Sequence, residues 1–86
     1  MFINKAKDGK NNLCGPRVAA LRMALHISQR ELADRLQLQG LDVDKNAIQR
    51  IECGKRFVTD IDLVIFSKAL EVPISELLSA EDAELL

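Results

Sequence analysis

The chain has 86 residues, 48% hydrophobic and 29% charged, with a formal net charge of −1. That suits one domain with a modest core, and three Phe with no Tyr or Trp argue against a base-stacking surface. No apolar run approaches the roughly 20 residues of a membrane span, and residues 1–12 lack the apolar core and cleavage site of a signal peptide, so a cytoplasmic location is expected.

Residues 1–12, with Lys5, Lys7, Asp8, Gly9, Lys10, Asn11 and Asn12, show no period and read as a flexible arm. A first helix is expected from Gly15-Pro16, because proline at the first helical position needs no amide partner. Val18, Leu21 and Leu25 mark its buried face. Ser28 opens a second helix, with Glu31 placed to complete a capping box. Leu32, Ala33 and Leu36 supply its apolar stripe, and Gly40 can close it in the left-handed region. Asp44 is the expected cap of a third helix, whose Ile48 and Ile51 face inward before Gly54 ends it. Lys55, Arg56 and Phe57 follow in a loop. Thr59 caps a fourth helix, with Asp60 and Asp62 at its positive end and Leu63, Phe66 and Leu70 as its core stripe. Pro73 begins a short fifth helix carrying Leu77 and Leu78, and residues after Ala80 are expected to fray. The architecture is therefore all-α: an arm (1–12), one compact five-helix domain (13–80) and a short acidic tail (81–86).

The near-zero net charge hides two opposite halves. Residues 1–59 hold eleven Lys or Arg against six Asp or Glu, whereas residues 60–86 hold Lys68 against seven acids. Such a split is a hint of one basic face and one acidic end, with the plain alternative that acidic ends are common and merely aid solubility. Cys14 and Cys53, with His26 as the lone histidine, match no zinc spacing and read as free thiols. No metal or cofactor is expected. No nucleophile–base set, phosphate-binding glycine loop or carboxylate pair points to an enzyme.

Residues 28–54 combine two short helices with a linker, a helix-turn-helix. The second of these helices carries Lys45, Asn46, Gln49 and Arg50 opposite Ile48 and Ile51. Those are the side chains that major-groove geometry asks for, Arg or Lys to guanine and Asn or Gln to adenine. A solvated polar face is the plain alternative, because exposed helix faces are rich in the same residues.

Ser28-Gln29-Arg30-Glu31-Leu32-Ala33, followed by Ala47-Ile48-Gln49-Arg50-Ile51-Glu52-Cys53-Gly54-Lys55-Arg56, resembles the lambda repressor/Cro-type helix-turn-helix (XRE) family. Leu21-Arg22 upstream, and Ala69-Leu70-Glu71-Val72 with Leu77-Leu78 downstream, extend the likeness over residues 15–79. The resemblance implies a lambda-repressor-like fold that binds double-stranded DNA as a dimer and regulates transcription, in the manner of a repressor. It implies base contacts from Lys45, Asn46 and Arg50, with Gln49 a weaker candidate. Gln29, Lys55 and Arg56 match phosphate-holding positions, and Arg22 with Glu52 matches a buried salt bridge. The turn departs from the family pattern: residues 37–43 are longer, with Gln37 where the family has glycine. Either the second helix gains a turn, or the linker bulges at Gly40 with Leu38 or Leu41 tucked into the core.

Dimer contacts are expected from the fifth helix with Leu85 and Leu86, or from Phe2-Ile3. Two rival functions use the same fold. One is the antitoxin half of a toxin–antitoxin pair, binding a protein partner through the acidic C-terminal region. The other is a protein-interaction module that does not read DNA.

Overall fold

The computed structural model describes residues 9–78. They form α1 (Gly15–Ala24), α2 (Gln29–Leu38), α3 (Lys45–Glu52), α4 (Asp60–Leu70) and the single turn α5 (Ile74–Leu77). Among the described residues there is no strand.

Three of the helices start on a side-chain cap. Ser28 Oγ accepts from the Glu31 amide at 3.0 Å, Asp44 Oδ1 from the Ala47 amide at 2.8 Å, and Thr59 Oγ1 from the Asp62 amide at 3.1 Å. Each bond satisfies an amide that has no partner within its own helix. At α1 the cap comes from further upstream, where Asn12 Oδ1 accepts from the Gly15 amide at 2.9 Å.

The first four helices end alike. A residue in the left-handed region follows each: His26 (φ 58), Gly40 (φ 92), Gly54 (φ 79) and Glu71 (φ 58). At the end of α2, Gly40 N–H donates to the Gln37 carbonyl and Leu41 N–H to the Leu36 carbonyl, both at 3.0 Å. This pairing satisfies carbonyls that the helix leaves open, and an apolar residue after the glycine commonly seals it. Ile27, Leu41 and Val72 occupy that sealing position at α1, α2 and α4; Ile27 is buried, and the other two pack against the core. At α3 the same position is Lys55, which is exposed.

The core joins Val18 of α1, Leu32 and Leu36 of α2, Ile48 and Ile51 of α3, Phe66 and Leu70 of α4, and Leu77 of α5. These apolar residues recur on helical spacing, so one stripe of each helix is removed from water. Cys14 and Val43, which lie outside the helices, are buried with them. One expected core position differs, and of the two residues that the long turn offered to the core, one stays outside it. Leu25 falls on the residue that closes α1 and is exposed, and Ile27, turned inward by the left-handed His26, takes the place below it. Leu38 is 87% exposed, because α2 carries it past the contact with its neighbours.

The long turn combines both routes open to it. α2 continues through Gln37 to Leu38, and the chain then reverses at Gly40, where Leu41 packs against the core. Gln37 Nε2 donates to the Val43 carbonyl at 2.7 Å and pins the far side of the turn.

Asn11 and Asn12, which the sequence groups with the arm, are hydrogen-bonded to the end of α3 and the loop after it. Fraying after Ala80, the tail at 81–86, Leu85, Leu86 and Phe2-Ile3 fall outside the described residues. No helix among those described is long and apolar enough to cross a membrane.

Candidate nucleic-acid interface

The outer face of α3 is set by its inner one. Ala47, Ile48 and Ile51 are buried, and the Asp44 cap fixes the first turn, so the helix cannot roll. Lys45, Asn46, Gln49 and Arg50 are consequently exposed. Among the described residues, none makes a hydrogen bond or ion pair with these four side chains. Their donors and acceptors remain open to an outside partner.

Beyond α3 the chain folds back tightly. Lys55 and Arg56 both donate their amides to the Arg50 carbonyl, at 2.8 and 3.3 Å. Lys55 is exposed and Arg56 half-buried, next to the exposed Phe57. Two cations thus follow directly on the C-terminal end of α3, the end nearest Arg50.

Arg22 of α1 and Glu52 of α3 form a two-pronged ion pair. Arg22 Nε and Nη2 reach the two Glu52 carboxylate oxygens at 2.7 and 3.2 Å. Their side chains are only 12% and 8% exposed. Arg22 Nη1 also donates to the Ile27 carbonyl at 2.9 Å, so the guanidinium ties the exit of α1 to α3. The hydrogen bond to Glu52 raises the Arg22 pKa further above its ordinary value. A planar fork of donors suits this site, where a lysine would offer a single point charge.

Gln29 belongs to the same network. Its Nε2 donates to Glu52 Oε1 at 3.0 Å. A carboxamide has two N–H donors, so one holds Glu52 and the other is left over at the start of α2. The first turn of α2 therefore sits in fixed register with α3.

Sequence reasoning missed three things here. Asn11 and Asn12 grip the end of α3, but two asparagines in an aperiodic polar stretch carry no pattern. Arg30, exposed beside Gln29, adds a cation to the first turn of α2. Gly15 is more than a helix start, because a Cβ there would run into the Ile51 carbonyl and lie 3.1 Å from the Glu52 carbonyl. α1 thus approaches the backbone of α3 as closely as only glycine permits.

The two thiols differ. Cys53, beside the exposed face of α3, is exposed, whereas Cys14 is buried and its pKa is pushed up to about 11, chiefly by desolvation. Among the described residues no group of three His, Cys, Asp or Glu could hold a metal ion.

Two helices crossing through a capped turn, the second presenting free polar groups and followed by cations, define a DNA-binding helix-turn-helix domain. The helix-turn-helix family model HTH_3 matches residues 18–77. The chain belongs to that family, of XRE-type DNA-binding transcriptional regulators. Among solved structures, it is similar to the restriction-modification controller protein C.AhdI from Aeromonas hydrophila. The two are 28% identical with a TM-score of 0.65, over 74% of this chain and 86% of that one. No curated protein matches the chain.

Proposed function

We propose that the chain recognises a specific double-stranded DNA site as a dimer and represses transcription from it. α3 enters the major groove with Lys45, Asn46 and Arg50 at base edges and Gln49 beside them. Gln29, Lys55 and Arg56 hold phosphates on either side. The observation that carries this reading is the set of four exposed, unengaged side chains on a helix whose opposite face is locked into the core. Likeness to a restriction-modification controller protein favours a regulator of comparable kind.

A single domain reads few base pairs, and two copies would place their α3 helices roughly 34 Å apart on a pseudo-palindromic site. Ile61 and Val64, one helical turn apart on α4, are 69% and 41% exposed and offer an apolar face for the second copy.

Selection of bound duplexes from a random pool, followed by gel shifts, tests the reading. Arg50→Ala should cost about 1–3 kcal/mol on the selected site and relax preference at one position. Lys55→Ala should weaken all sequences alike and lower the salt slope by about 0.9. Absence of duplex binding by the wild type at low salt would overturn the proposal.

A further inference from the structure

The exit from α3 differs from the other three exits, and the difference lies at the DNA-facing loop. Ile27, Leu41 and Val72 seal their turns by packing inward. Lys55 stands at the corresponding place after Gly54 and is exposed, so apolar packing does not hold that turn.

Hydrogen bonds from two neighbouring residues hold it instead. The Asn11 amide donates to the Gly54 carbonyl at 2.8 Å, and Asn11 Nδ2 to the Lys55 carbonyl at 2.9 Å. Asn12 Nδ2 donates to the Arg56 carbonyl at 2.7 Å and to the Ile51 carbonyl at 3.1 Å. Three successive loop carbonyls are therefore taken, while the Lys55 and Arg56 amides are fixed on Arg50 from the other side. Lys10 completes the strap, because its methylene carbons lie where a Cβ on Gly54 would fall.

The Asn11 side chain shows which of its two ends the site uses. Its Nδ2 faces the Lys55 carbonyl, whereas its buried Oδ1 has no hydrogen-bond partner among the described residues. Only the N–H end of a carboxamide can pair with a carbonyl oxygen, so the donor is what the position requires.

We infer that Asn11 and Asn12 are positioning residues for DNA binding, strapping the loop so that Lys55 and Arg56 meet a phosphate without first having to be ordered. A loop already fixed loses less conformational entropy on binding. The inference rests on the phosphate role proposed above for Lys55 and Arg56.

The test measures affinity for a random-sequence duplex between 50 and 200 mM salt, with melting temperature recorded for each variant. Asn11→Ala removes one side-chain donor and keeps the backbone bond. Losing one phosphate contact lowers the salt slope by about 0.9, so affinity then falls about threefold less than the wild type's over this range. Lys55→Ala should show that change in full. Asn11→Ala leaves both cations able to reach the phosphate, so it should keep the wild-type slope but lower affinity about three- to tenfold at every salt concentration. It should do so at a near-wild-type melting temperature, and should add nothing in a Lys55→Ala, Arg56→Ala background. Wild-type affinity of Asn11→Ala at every salt concentration, beside a reduced slope for Lys55→Ala, overturns the positioning role alone. An unchanged slope for Lys55→Ala removes the phosphate role and this inference together. Full additivity of Asn11→Ala with the two cation variants also overturns it, because independent residues add.

Discussion

Arg22 shows how far a single side chain can act without touching a ligand. It neutralises Glu52, caps the end of α1 through the Ile27 carbonyl, and through Glu52 reaches Gln29. Removing it leaves a carboxylate that is 8% exposed with only a carboxamide for company. Arg22→Ala should therefore cost about 3–5 kcal/mol, measured by urea unfolding, because the penalty is that of a stranded buried charge. Arg17 offers the contrast. Its ion pair with Glu76 is well exposed, and exposed pairs contribute roughly 0–1 kcal/mol.

Cys14 supplies a prediction about pH. Its folded pKa of about 11 lies above the ordinary 9.0 because burial disfavours the thiolate. A raised folded value means that stability is fully present below pH 9 and is lost as pH rises from there toward 11. Replacing Cys14 by alanine should flatten that part of the alkaline stability profile. A thiol reagent at neutral pH should label Cys53 in the folded protein and reach Cys14 only after denaturation.

Helix ends decide how the elements are joined. His26 and Glu71 occupy the left-handed region at φ 58, which costs a side-chain-bearing residue roughly 1 kcal/mol relative to glycine. Glu71→Gly should therefore raise stability by about that amount. Gly40, at φ 92, lies further from any well open to alanine, although nothing stands within 4 Å of the place a Cβ would take. Gly40→Ala should destabilise by about 1–2 kcal/mol through backbone strain alone. Thermal unfolding of the two variants gives opposite signs if the end geometry is as described.

Much at this scale was readable from the chain. Ser28, Asp44 and Thr59 announce their helices because a short acceptor before an apolar-periodic run has one obvious use. Gly40 and Gly54 announce the endings. His26 and Glu71 do not, since each carries a Cβ that the left-handed region disfavours; the residues that follow them, Ile27 and Val72, pack on the core. Periodicity continued through Leu25 and so placed it on the buried face, whereas the helix had already turned.

Across the whole molecule, the sequence pattern carries the fold and the exposed face of α3, because both follow from apolar spacing. The parts it hides are contacts between distant segments. Asn12 meets Ile51 and Arg56, and Gly15 meets the Ile51 backbone, through pairings that no local period records. Gly15→Ala tests that junction. Alanine favours helix by roughly 1 kcal/mol, yet its Cβ would push α1 from the carbonyl end of α3. The clash should win, with a net loss of about 1–3 kcal/mol in chemical denaturation.

The turn between α2 and α3 is fixed separately at each end: Gly40 and Leu41 complete one helix, and Asp44 begins the next. Only the stretch between them, with Gln37 bridging to Val43, belongs to the connection itself. Neither terminus borrows a bond from the side chains of Lys45, Asn46, Gln49 or Arg50. The placing of the exposed face of α3 thus depends on these two anchors and on the buried Val43. The exposed Asp42 between them is the position of the turn most open to replacement.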